Sequence, residues 1–117
     1  MLGEELCRRV YGGAYDRMRA NIRRAHPHLA VWMVDEGYGK VLSRPGLDPV
    51  SRELCAVGAL AALNAPRQLE AHIRGARNVG AAPKEIALAI RLAALGCGRR
   101  AWREARRVAL RGDGGAA

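Results

Sequence analysis

The chain has 117 residues, half of them hydrophobic and none of them Phe, and its formal net charge is +9. This length indicates one domain with a modest core, and no apolar run approaches the length of a membrane-spanning helix. The positive charge favours anionic partners such as nucleic acid, acidic lipid or a carboxylate-bearing metabolite, although solvated helix faces explain most individual arginines.

The abundance of Ala, Leu and Arg, with few alternating apolar and polar residues, predicts an all-α fold. The first helix is predicted over residues 4–25, with a break or kink at Gly12-Gly13. A second is predicted over residues 29–42. Gly37 and Gly39 within it indicate either the close approach of a neighbouring helix or, with Tyr38 between them, a substrate-facing wall.

Prolines and glycines define the start and end of the remaining helices. Pro45-Gly46 fits a type II turn, and Asp48-Pro49 fits the start of a helix. The four helices are predicted over residues 49–64, 66–80, 83–95 and 100–110. We expect one helical domain over residues 1–111 and a disordered tail over residues 112–117.

Two ionisable residues accompany the most apolar helix, whose segment 54–63 is apolar nearly all the way round. Glu53 precedes this segment, and His72 lies on the inward stripe of the next helix. Glu53 is either a favourable carboxylate near a helix N-terminus, paired with Arg52, or a proton-transfer group at a dry pocket. His72 is either a hydrogen-bonded core histidine or a group that exchanges a proton near neutral pH.

The cysteines and the other histidines do not form a recognisable site. Cys7, Cys55 and Cys97 are odd in number and widely spaced, which indicates a reduced, cytoplasmic protein. Cys55 and Cys97 are predicted to be small buried hydrophobic residues, and Cys7 to lie near arginines. His26-Pro27-His28 is half of a metal site at most, so we predict an exposed loop and no metal.

Several segments together resemble the carboxymuconolactone decarboxylase family of the AhpD-like superfamily. The resemblance rests on the order and spacing of these segments between residues 37 and 98: Tyr38-Gly39, Ser43-Arg44-Pro45-Gly46-Leu47-Asp48, Arg52-Glu53-Leu54, Leu69-Glu70-Ala71-His72, Ala76 with Gly80, and Pro83-Lys84-Glu85-Ile86.

The resemblance implies a six-helix AhpD-like subunit that assembles as a homo-trimer or homo-hexamer. It implies that Glu53 and His72 are catalytic, in a decarboxylation of a small anionic lactone that needs no cofactor. In that reaction an enolate forms as carbon dioxide leaves and is then reprotonated. Arg44 and Arg52 would bind substrate carboxylates, and Tyr38 would line the pocket.

The sequence departs from relatives on both branches of the superfamily. The hydroperoxidase branch carries C-x-x-C before the histidine, but Ala65 and Gln68 stand at those positions here, which disfavours a peroxidase. The late aromatic-Cys-Gly-x-Pro run of the decarboxylases is altered around Cys97, so the substrate could differ or the activity could be lost. A basic nucleic-acid-binding protein is the remaining alternative, but the chain has neither a helix-turn-helix pattern nor an aromatic platform.

Overall fold

The computed structural model describes residues 2–114, and the side chains of residues 2–111. This part of the chain contains helices and no strands, which confirms the all-α prediction. The elements are α1 (Leu2–Tyr11), a 3₁₀ turn (Gly12–Ala14), α2 (Tyr15–Ala25), α3 (Pro27–Trp32) continuing as a π-helix (Met33–Leu42), α4 (Pro49–Ala62), α5 (Pro66–Val79), α6 (Pro83–Ala93) and α7 (Arg99–Gly114).

These described elements correspond to the six predicted helical segments, with α1 and α2 in the first and α3 with its π-helix in the second. The predicted break at Gly12-Gly13 is confirmed as the 3₁₀ turn. The described chain divides into two compact units, Met1–Pro49 and Val50–Ala117. The single domain over residues 1–111 and the homo-oligomer stay predictions. The predicted tail lies outside the described side chains, although the backbone of α7 continues to Gly114.

A close backbone approach organises the first unit. A Cβ placed on Gly3 would lie 2.6 Å from the Gly39 nitrogen and 2.7 Å from the Gly39 Cα, and it would also overlap the Val34 carbonyl. Helix α1 therefore packs on the π-helix with almost no space between the two backbones. Gly39 fulfils the prediction of a close helix approach, whereas a Cβ on Gly37 would meet nothing within 4 Å.

The π-helix changes which residues of this segment are buried. Ala30, Val34 and Tyr38 are buried at intervals of four residues. An α-helical stripe through this segment would also bury Val31 and Val41, but both are about half exposed, at 51% and 47%. Val41 belongs to the π-helix, which bonds residue i to i+5 and has a wider turn than an α-helix, whereas Val31 precedes it on α3.

Predicted start and stop signals define the helices of the second unit. Pro49, Pro66 and Pro83 each occupy the first position of a helix. Gly80 ends α5 with a φ of +113°, a left-handed conformation that suits glycine, and the Ala81 amide donates to the Ala76 carbonyl at 2.8 Å. At the start of α6, Glu85 accepts a hydrogen bond from the Ala82 amide at 2.7 Å.

An aliphatic core stabilises the second unit. Its buried members come from all four helices and include the following residues: Val57, Ala61, Leu69, Ile73, Ala76, Ala81, Ile86, Ile90, Ala105 and Val108. Helix α4 buries one side only, since Cys55, Ala59 and Ala62 are exposed. Although its sequence is apolar nearly all the way round, α4 is therefore covered on only one side within the described chain. No helix among the described residues has both the length and the hydrophobicity required to cross a membrane.

Candidate active site

Glu53 is a buried carboxylate on the core-facing side of α4. It lies one turn before Val57 and two turns before Ala61, so all three side chains fall on the same helix face. Its side chain is only 6% exposed. Burial of a carboxylate in apolar surroundings is costly unless the carboxylate is paired or hydrogen-bonded, so Glu53 requires a partner.

His72 is that partner. It lies on α5 next to Ile73, and its side chain remains 36% exposed while that of Glu53 is buried. The Nδ1–H of His72 donates to Oε2 of Glu53 at 2.8 Å. His72 is partly buried, as its place on the inward stripe of α5 predicts, and the two side chains meet within one compact unit.

The hydrogen bond to Glu53 raises the pKa of His72, and the negative charge of Glu53 acts in the same direction, while partial burial of the ring opposes both. The pair therefore favours the charged imidazolium form of His72. Because Nδ1 is engaged with the carboxylate, the Nε2 atom is the one left to exchange a proton with a bound molecule. The arrangement can hold a proton, orient it and deliver it.

The other predicted site residues are distributed over both units. Arg52 lies on α4 beside Glu53 and is partly buried. Arg44 belongs to the first unit and is exposed, and its Nε donates to the Lys40 carbonyl at 2.8 Å. Tyr38 is also in the first unit, where it is buried and packs edge-on against Tyr11 with ring centroids 6.3 Å apart. Roles of these three in substrate binding stay predictions.

The cysteines differ from their predicted burial. Cys55 is exposed and Cys97 is partly exposed, whereas Cys7 is fully buried. Burial raises the pKa of the Cys7 thiol to about 11, although Arg19 and Arg8 act in the opposite direction. The prediction for Cys55 and Cys97 was wrong because apolar neighbours in sequence do not reveal which side of a helix faces the core.

His26 has a structural role at the start of α3, and His28 lies within that helix, so the predicted loop is wrong from Pro27 onward. His26 is exposed and caps α3, with its Nδ1 accepting from the Leu29 amide at 3.2 Å. Its ring centroid lies 6.3 Å from that of His28. Among the described residues, no group of three or more His, Cys, Asp or Glu side chains is placed to hold a metal ion.

A concave surface that sequence reasoning did not predict lies in the second unit. It is lined by residues of α5, α6 and α7, with Trp102 and Arg106 on α7 among them. Trp102 and Arg106 are four residues apart in the sequence. The signal that could have revealed the cleft is their spacing, since residues four apart are neighbours on a helix surface.

The fold and the site define an all-helical protein with a buried carboxylate hydrogen-bonded to a half-exposed histidine. Residues 28–111 match the carboxymuconolactone decarboxylase family, and the chain belongs to that family. The match includes α4 and α5, which carry Glu53 and His72. A comparison with curated proteins found no match.

Proposed function

We propose that the protein catalyses a cofactor-free decarboxylation of a small anionic lactone or a related intermediate of aromatic catabolism. The observation that carries this proposal is the 2.8 Å hydrogen bond between His72 and the buried Glu53. Family membership supports the reaction class. The net charge of +9 suits an anionic substrate.

In the proposed reaction, the bond between the departing carboxylate and its ring carbon breaks, and carbon dioxide leaves. The electron pair of that bond delocalises into the lactone as an enolate. The His72 imidazolium then delivers its Nε2 proton to carbon, which gives the enol-lactone, and the imidazole regains a proton from solvent. One proton is consumed for each carbon dioxide released, so charge and atoms balance.

Within this proposal His72 and Glu53 have different tasks. His72 is the general acid because its ring is the exposed member of the pair. Glu53 is a positioning residue that holds the ring through Nδ1 and stabilises its charged form. A carboxylate that orients a histidine in this way acts through the imidazole and does not contact the substrate.

The test is turnover of γ-carboxymuconolactone, followed as carbon dioxide release and proton uptake. We expect His72→Asn to lower turnover by roughly 10²- to 10⁴-fold, the usual contribution of general acid catalysis. Glu70→Gln is the matched control, since Glu70 is an exposed carboxylate on the same helix that pairs with Arg74. The control variant should keep full activity.

Glu53→Gln tests the positioning role separately. The amide oxygen of Gln can still accept from Nδ1 but lacks the negative charge that raises the pKa of His72. We therefore expect the activity limb assigned to His72 to move to lower pH. If Glu53→Gln changed only the stability of the protein and kept the full pH–rate profile, this positioning role would be contradicted. Absence of turnover in the native protein on lactone dicarboxylates would overturn the proposed reaction.

Peroxide reduction by a two-cysteine cycle is the activity that we do not expect. Such a cycle requires an accessible thiolate with a resolving thiol nearby, and the positions that would carry the pair are Ala65 and Gln68. A dithiol-dependent peroxidase assay should show no activity that depends on Cys55 or Cys97.

Salt-dependent binding of random duplexes, measured at low ionic strength, would instead support a nucleic-acid-binding protein.

A further inference from the structure

The cleft of the second unit has the size and lining of a ligand site. Its volume is about 360 Å³, near the lower end of the roughly 300–1,000 Å³ that small-molecule sites occupy. Ile86 and Ile90 on α6 are buried at its base, and the half-buried Trp102 on α7 forms a wall. These side chains provide a contiguous apolar surface that a hydrocarbon or aromatic group would cover.

Basic side chains surround that apolar surface. Arg91 on α6, Arg106 on α7 and Arg77 on α5 all line the cleft, and none of its lining residues is acidic. The guanidinium carbon of Arg106 lies 5.6 Å from the centre of the Trp102 ring. Stacking of this kind holds a guanidinium beside the aromatic wall, where its outer N–H groups can meet an anion.

An apolar base with a basic rim is complementary to a small molecule that has a hydrocarbon body and one anionic end. We propose that this cleft binds an organic carboxylate, with its body against Ile86, Ile90 and Trp102 and its carboxylate on Arg91 and Arg106. Planar guanidinium groups match the two oxygens of a carboxylate. Neither Glu53 nor His72 lines the cleft, so this site is separate from the proposed catalytic pair.

The apolar base distinguishes this ligand from other anions. A nucleic-acid backbone or a free phosphate would use the arginines but would leave the isoleucines and Trp102 uncovered. A neutral hydrocarbon would cover the base and leave the arginines unused. Only a molecule with both a hydrocarbon body and an anionic end contacts the whole lining. The proposal therefore predicts that the cleft prefers such a molecule to a neutral hydrocarbon or a free phosphate.

The binding test uses octanoate as the probe and octan-1-ol as its uncharged counterpart. The chain has two tryptophans, so Trp32→Phe leaves Trp102 as the single tryptophan reporter beside the cleft. Trp32 is 58% exposed and lies in the first unit, so this replacement preserves the cleft. Octanoate should change the Trp102 fluorescence saturably, and octan-1-ol should bind roughly tenfold more weakly.

Variants that remove a positive charge or fill the cleft test whether octanoate binds there. Arg106→Gln and Arg91→Gln should each weaken octanoate binding by roughly five- to tenfold and leave octan-1-ol unchanged. Arg103→Gln is the matched control, since Arg103 is an exposed arginine of the same helix that does not line this cleft. Ala87→Phe places a ring in the cleft from an exposed position on α6 and should abolish binding of both probes.

Three outcomes would overturn the proposal. The first is the absence of saturable octanoate binding up to about 1 mM, checked by calorimetry. The second is equal weakening by Arg103→Gln and Arg106→Gln, which would indicate a non-specific effect of charge. The third is an oligomer that Ala87→Phe dissociates, since the cleft would then be covered by a second copy. Octanoate binding that survives in Glu53→Gln would support a site separate from the catalytic pair.

Discussion

The first unit, Met1–Pro49, and the second, Val50–Ala117, are stabilised by different kinds of contact. In the first, the backbones of Gly3 and Gly39 come so close that a β-carbon on Gly3 does not fit between them. In the second, the helices pack around an aliphatic core, and the buried Glu53 is hydrogen-bonded to the half-exposed His72. The stability of the first unit should therefore fall when side-chain volume is added. The stability of the second should fall when core volume is removed or when the protonation of the Glu53–His72 pair changes.

Removal of core volume from the second unit should give the largest change in stability. Leu69 is 1% exposed, so Leu69→Ala should lower the free energy of unfolding by about 2–5 kcal/mol, the usual cost of emptying a core site. The measurement is denaturant-induced unfolding followed by circular dichroism. Leu63→Ala, at a 74% exposed leucine, is the control and should change stability by less than about 0.5 kcal/mol.

The reaction rates of the cysteines should also differ between the two units. Burial raises the pKa of the Cys7 thiol to about 11, and the residue is 0% exposed. We therefore expect Cys7 to react with a disulfide reagent at least about tenfold more slowly than the exposed Cys55. Equal rates in single-cysteine variants would show that the first unit opens readily.

An added methyl group should destabilise the first unit by a smaller amount. Gly3→Ala places a β-carbon against backbone atoms that have no rotamer to change, and overpacking of this kind costs about 1–3 kcal/mol. Gly13→Ala is the matched control, since its β-carbon would meet nothing within 4 Å. If thermal unfolding gave the same midpoint for both variants, the close packing of α1 on the π-helix would not contribute to stability.

The smallest effect should be the pH dependence of the stability of the second unit. Because Glu53 raises the pKa of His72 in the folded protein, the pair stabilises the fold fully below the unfolded-state pKa of about 6.5. This contribution is lost as the pH rises through the higher folded-state pKa. Unfolding free energies measured across this range should fall with pH in the native protein. In His72→Asn that component of the decrease should be absent.

Much of the helical framework could be predicted because its signals are local. A proline at the first position and a glycine at the C-cap act within one turn, and Pro49, Pro66, Pro83 and Gly80 all occupy the predicted places. The close approach at Gly39 was predicted from its glycine, but its partner Gly3 could not be, because the contact joins residues that are distant in sequence.

The candidate site was predictable only in part. Spacing placed His72 on the inward stripe of α5, but it left Glu53 either at a helix terminus beside Arg52 or at a pocket. The family resemblance paired the two residues, and the 2.8 Å hydrogen bond fits that pairing. The contact depends on the rotation of α4 relative to α5, which the pattern of either helix alone does not determine. Similarly, the exposure of Cys55 depends on which side of α4 meets the core.

The pairing of Glu53 with His72 also has a consequence for folding kinetics. The two residues are 19 positions apart in sequence, on consecutive helices joined by a short link. Closing so short a loop has a small entropic cost, and contacts of low sequence separation form early in helical proteins. The pair can therefore form before the contacts between α5 and α7, which join more distant parts of the chain.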